Sequence, residues 1–338
     1  MKIFGRDTRV LTSIALAGLL AACGGSGDDN NAGGGGGAPG GYVLFATDEG
    51  TGSIAAFTTL EPVAGQALTA HVVKTDEGGT AIAYDAVHDD LYAIRVGTIT
   101  QAVTIDVFAH ASTMTSGAAP ARTILVPGFS PATVQAIRLD TTRDELWVGG
   151  LDAVDSNSEG RLSVFAHAST LDGSATPSRD IGALPPFLTF ALDKVRSVLY
   201  LAGAGGTEHG VYVFANASTL VSGTAPTRTI DAVDGTSTYL LAVDEQRDIL
   251  YVPDVFTGLG IVKNASTASP TLAATVAFPS ATPCLTAAVD SSHDRLYVGA
   301  YTNAYILDGA STLTSASTLP AVTVQAPTGS SIFSFAFP

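Results

Sequence analysis

Oxygen donors at alternate positions are what a hard cation needs, and one stretch of this chain has them. Between Gly150 and Gly160 lie Asp152, Asp155, Asn157 and Glu159, the last three spaced by one residue and followed by a turn glycine. Calcium takes about six to eight such oxygens, so these four are the candidate metal ligands. The set is incomplete, because a calcium loop of this spacing closes on a bidentate carboxylate and Ala166 stands at that place. A polar hairpin loop is the favoured reading, calcium is the alternative, and no cofactor is required. Six more polar groups on separate segments, Asp48, Glu49, Arg95, Glu208, Asp254 and Tyr301, are candidates for a binding face built from loops. Catalysis finds no equivalent set. There is no Gly-x-Ser-x-Gly elbow, zinc spacing, phosphate loop or Cys-x-x-Cys-His haem site, and no residue is assigned a catalytic role.

The remaining reactive side chains read as scaffold. Cys284 opens an apolar segment after Pro283 and is expected to be a buried small hydrophobe rather than a nucleophile. An acidic turn residue recurs as Asp85, Asp140, Asp193, Asp244 and Asp290, and a cation follows three residues later in every case: His88, Arg143, Arg196, Arg247 and His293. Aspartate accepts hydrogen bonds from the amides that follow it, which starts a turn, and the cation then lies across the turn from the carboxylate. His110 and His167 align with Asn216 and Gly309, so they occupy turn positions rather than metal-ligand positions.

Those turns belong to a repeat. Its first half is a strand ending in Asp, a short turn, and a strand with Leu-aromatic, as in AIAYDAVHDDLYAI from residue 81 and AIRLDTTRDELWVG from residue 136. The second half is a strand running into Ala-Ser-Thr, as in DVFAHAST from residue 106 and SVFAHAST from residue 163. Three units then carry Pro-x-Arg-x-Ile (Pro120 to Ile124, Pro177 to Ile181, Pro226 to Ile230), the mark of a fourth, outer strand where a leading proline costs least. The turn aspartates are 55, 53, 51 and 46 residues apart, a period that fits a propeller blade of four short strands. Five full units cover Gly78 to Pro327. The ends are complementary: Ser331 to Phe337 reads as a first strand, and Tyr42–Ala46, Ser53–Phe57 and His71–Lys74 as a second, third and fourth. The expected fold is all-β, a six-bladed β-propeller with four antiparallel strands per blade, closed by one C-terminal and three N-terminal strands. The first strands, which would line the channel, read as almost wholly apolar.

Before the repeat, Lys2, Arg6 and Arg9 precede an apolar run from Val10 to Leu20. That run is too short for the roughly 20 residues that span a bilayer but suits a secretory leader. It ends in Leu20-Ala21-Ala22-Cys23, which resembles the lipobox of bacterial lipoproteins. The resemblance implies cleavage of residues 1–22, a diacylglyceryl thioether on Cys23 and acylation of the new amino terminus, enough acyl chains for stable attachment. Gly24 in place of an Asp points to the outer membrane of a Gram-negative envelope. Residues 24–41, GGSGDDNNAGGGGGAPGG, cannot form a core and make a flexible tether. The organisation is thus a leader (1–22), a lipidated cysteine and tether (23–41) and a propeller (42–338). Net charge is −15, which weighs against nucleic-acid partners.

The pattern Asp-x-x-[Arg/His]-x-x-Leu-[Tyr/Trp] with the Val-Phe-Ala-[His/Asn]-Ala-Ser-Thr turn resembles the lactonase, NHL and YncE-like bacterial propellers over residues 42–338. The resemblance implies the architecture and leaves activity open. The leading expectation is a non-catalytic binding or scaffold module for a protein or surface partner, displayed from a membrane. A metal-dependent lactonase or hydrolase is the alternative, and an accessory factor in envelope assembly or electron transfer a third reading.

Overall fold

The computed structural model describes residues 44–48, 53–58, 71–74, 81–96, 103–129, 134–151, 159–203, 210–231, 240–254, 257–278, 284, 286–300, 303–319, 324–325 and 332–336. All of them fall in one compact unit, Gly37–Pro338. The leader, Cys23 and the tether as far as Gly41 lie outside the described residues.

Six small antiparallel sheets account for the fold. Blade one is Ile82–Asp85, Asp90–Val96, Val103–Ala109 and Arg122–Val126. Blade two is Val134–Asp140, Glu145–Leu151, Gly160–Ala166 and Arg179–Leu184. Blade three is Phe187–Asp193, Val198–Gly203, Val211–Ala215 and Arg228–Ile230. Blade four is Ala242–Asp244, Ile249–Asp254, Gly258–Lys263 and Thr271–Val276. Blade five is Thr286–Asp290, Arg295–Ala300, Asn303–Asp308 and Val324–Gln325. Blade six joins the two ends of the chain, Ile332–Ala336 pairing with Leu44–Asp48, which pairs in turn with Ser53–Phe57 and His71–Lys74. Among the described residues, one strand is added to the expected pattern: Gly173–Ser174 lies parallel along the outer strand of blade one.

The core is divided into six wedges, one per seam between blades. Along Asp90–Val96, Leu91 and Ala93 enter the seam with blade six, whereas Tyr92 and Ile94 enter the seam with blade two. The same alternation serves the seams between blades two and three, three and four, four and five, and five and six. Because both faces of a blade are covered, its central strands lose the apolar–polar alternation of a half-exposed sheet. Every residue of Ser53–Phe57 and of Ile249–Asp254 is buried. Cys284 is fully buried in the wedge between blades four and five, and burial pushes its thiol far above the ordinary range, as expected of an inert hydrophobe.

Each turn aspartate does what its position predicts. Asp140 accepts the Thr142 and Arg143 amides (both 3.1 Å) and the Arg143 guanidinium at 2.6 Å. Burial works against its charge, but the Thr142 hydroxyl, which donates at 2.6 Å, and the Arg143 bonds hold its carboxyl below the usual carboxylate range. The other four pairs also form: His88–Asp85, Arg196–Asp193, Arg247–Asp244 and His293–Asp290. Two of the cations also reach the next blade, Arg196 to the Glu245 carbonyl and Arg247 to the Ser291 carbonyl.

A second acidic residue, one position beyond the cation, is a structural element the repeat reading did not pick out. Asp89, Asp144, Asp248 and Asp294 all have left-handed backbone, with φ between 51° and 57°. Each grips the serine of the Ala-Ser-Thr turn with both carboxylate oxygens. Asp144, for example, accepts the Ser169 amide at 2.8 Å and the Ser169 hydroxyl at 2.9 Å. Blade three has Ser197 here, also at positive φ, with one hydroxyl at 3.1 Å from both the amide and the hydroxyl of Ser218. Aspartate tolerates this backbone better than serine and makes stronger, charge-assisted bonds. Ser197→Asp is therefore expected to raise stability by about 1 kcal/mol, read as a higher thermal unfolding midpoint. A fall in midpoint would contradict the bracket's assigned role.

Candidate functional site

The innermost strands of the six blades pack side by side in a closed ring, Ile332–Ala336 meeting both Thr286–Asp290 and Ile82–Asp85. They surround a channel of about 250 Å³ to which all six blades contribute. Its walls are set by register. The residue two before the turn aspartate pairs across the ladder with the aromatic residue of the second strand: Ala83 with Tyr92, Ala191 with Tyr200, Ala242 with Tyr251, Ala288 with Tyr297. Ala336 takes the same place opposite Phe45 in blade six. In blade two the residue opposite Trp147 is Arg138. All six line the channel, so one layer of it is made of five alanines and one arginine.

Arg138 therefore corrects the expectation of an almost wholly apolar lining. Its Nη1 donates to the Ile137 carbonyl at 2.8 Å, and its Nη2 reaches the Leu241 carbonyl of blade four at 3.1 Å. The guanidinium stands over the Phe190 ring, 5.7 Å from its centroid. Among the described residues no carboxylate pairs with it, and burial alone pulls its pKa down to about 10. The other cation on the lining, Lys194, is matched. Its Nζ lies 3.7 Å from Glu245 Oε1, and its amide donates to the same oxygen at 3.2 Å. Burial raises the Glu245 carboxyl against the pull of Lys194. One register step further along the strands, Thr189 and Thr286 are fully buried, and their hydroxyls have no hydrogen-bond partner. At the same step in blade six, Ser334 accepts the Ile82 amide at 3.4 Å and stitches the ring shut.

The candidates named from the sequence are placed as follows. Arg95 sits on the second strand of blade one, its Nε 3.1 Å from Asp106 Oδ2 and 3.3 Å from Thr104 Oγ1. Asp254 ends the second strand of blade four, buried, and accepts the amide and hydroxyl of Thr257 at 2.6 and 2.8 Å. Neither is among the residues lining the channel. Asp48 ends a strand of blade six, and Glu159 stands half-buried just before Gly160–Ala166. Asp152, Asp155, Asn157, Glu49, Glu208, Tyr301 and Cys23 lie outside the described residues. Arg138 was missed, although alignment on the turn aspartates sets it alone among alanines. What the alignment lacked was knowledge of which repeat position faces the axis.

No protein-family model matches the chain, and no curated protein matches it. Solved structures do. The WD40 β-propeller domain of Doa1 superposes with a TM-score of 0.54 at 12% identity, over 87% of this chain and 82% of that one. At that identity the likeness is one of fold, consistent with the six-bladed ring described above.

Proposed function

We propose that this chain is a lipid-anchored, extracytoplasmic binding module that presents its propeller to a protein or surface partner. The observation that supports it best is the use of the repeat's own charges. The recurring aspartates, arginines and histidines hold turns and seams, which makes the ring a rigid frame for its loops. The affiliation with lactonase, NHL and YncE-like propellers belongs to the same reading. So do the thioether on Cys23, the outer-membrane address and the tether of residues 24–41, which sets the body's reach.

Two measurements on the full chain in intact cells test it. Labelled palmitate is expected to enter the wild type and not Cys23→Ser, which leaves the membrane fraction; equal labelling of both would remove the anchor. A photo-crosslinking residue at Asn157, between the second and third strands of blade two in the sequence, is expected to capture one discrete partner. The same residue at Val195, exposed on the opposite turn face, is expected to capture none. Adducts from Val195 alone, or from neither site, would defeat the assignment of the loop face. Calcium-dependent turnover of a lactone, lost in Asp155→Ala, would replace the binding module with a hydrolase.

A further inference from the structure

Arg138 is the unusual residue of the molecule. At its repeat position the other blades carry alanine, and its charge is inside the ring. Of its five N–H donors, two go to backbone carbonyls and one ring offers its face. Carbonyls and a ring satisfy part of the hydrogen bonding but leave the positive charge, on a side chain partly exposed to the channel, without a counter-ion among the described residues. Lys194, by contrast, is neutralised by Glu245.

We infer that the central channel is a binding site for a small organic monocarboxylate, held by the Arg138 guanidinium. The planar fork of arginine matches a carboxylate through two parallel hydrogen bonds. The alanine layer leaves room beside it, and Leu139, Leu192, Val243 and Val289 give the wall apolar patches between its polar groups Lys194, Glu245 and Ser334, enough to seat a short hydrocarbon body beside the carboxylate. Charge selects in the same direction. A net charge of −15 repels polyanions, and Glu245 also lines the channel, so a single negative charge is admitted at lower cost than two.

Titration calorimetry on the full chain tests this with benzoate and hexanoate as probes, and with inorganic phosphate, sulfate and chloride at matched ionic strength. Saturable binding of at least one carboxylate is expected, weakened about tenfold or more in Arg138→Ala and less in Arg138→Lys. That alanine only restores what the other five blades carry. Without ligand, Arg138→Ala is expected to unfold at the same midpoint as the wild type or above it. A lower midpoint would make Arg138 a strut between blades two and four and overturn the site. So would the absence of saturable carboxylate binding, or binding that Arg138→Ala leaves unchanged. Phosphate or sulfate binding as tightly as the carboxylates would overturn the monocarboxylate assignment.

Discussion

Removal of residues 331–338 is expected to destabilise the propeller by on the order of 5 kcal/mol or more, a large part of the roughly 5–15 kcal/mol that holds a typical domain together. The deleted segment is the innermost strand of blade six. Phe335 is 7% exposed and packs against Tyr297 of blade five, their rings 6.1 Å apart. Ala336 belongs to the wedge shared with blade one, and Ser334 holds the Ile82 amide. Loss of a buried phenylalanine alone costs about 3–5 kcal/mol. Each ladder bond to Phe45–Asp48 adds about 1 kcal/mol net. The deletion also opens the ring, leaving Leu44–Asp48 as an unprotected edge that invites association. Urea unfolding followed by circular dichroism reads the loss, and size-exclusion chromatography reads the association. A synthetic peptide of residues 329–338 added in trans is expected to restore part of the stability by pairing with the vacant edge. An unchanged midpoint in the deleted chain would show that the ring does not depend on this strand.

That closure is legible in the amino-acid sequence because it is a counting problem. Five units with one form of end strand at the C-terminus and three others at the N-terminus leave a single way to complete the set. The turn pairs were readable too, since Asp85 and His88, or Asp140 and Arg143, are local and their chemistry is closed within four residues. Interactions between blades were not readable in the same way. The proline-arginine motif identifies an outer strand, but where its guanidinium goes depends on how blades pack. Arg138 is a similar case, because period-2 alternation shows which residues share a face but not which face meets the axis. Asp144 differs again. It stands in plain sight beside Arg143, but its left-handed backbone and its grip on Ser169 join segments 25 residues apart.

Of the seam contacts, the one made by Arg179 should be the most costly to lose by a single substitution. Its guanidinium lies 4.7 Å from the Trp147 ring centroid. Its Nη1 donates to the Ala217 carbonyl of blade three at 3.0 Å, and its Nη2 bonds both oxygens of Glu145 at 3.2 and 3.1 Å. The Trp147 indole donates to Glu145 as well, at 3.1 Å, so three side chains form one network beneath the Ala-Ser-Thr turn. Arg122 repeats the arrangement over Tyr92, with Asp90 and the carbonyls of Ala168 and Leu171, and Arg228 donates to the Ala265 carbonyl. The proline-arginine motif thus fastens blade one to two, two to three and three to four. Blade four has Ala274 at the matching register, opposite Ile261, so its seam with blade five is held by the apolar wedge together with the Arg247–Ser291 bond at the turn.

Arg179→Ala removes a charge-assisted bond of about 1.5–3 kcal/mol and a cation–π contact of about 0.5–1 kcal/mol. It also leaves Glu145 half-buried with only the indole as donor among these contacts. Both side chains retain some solvent access, 22% and 16%, which keeps the loss below that of breaking a fully buried pair. A loss of about 2–4 kcal/mol is expected, seen as a lower urea midpoint at unchanged slope. Arg179→Lys is expected to recover less than half of it, because an ammonium cannot stack on Trp147 and fork to Glu145 and Ala217 together. Combined with Glu145→Gln, the two losses should sum to less than their separate values, since either change already breaks the network. A change within about 0.5 kcal/mol, the range of an ordinary surface substitution, would mean that the blades hold together by their apolar wedges alone.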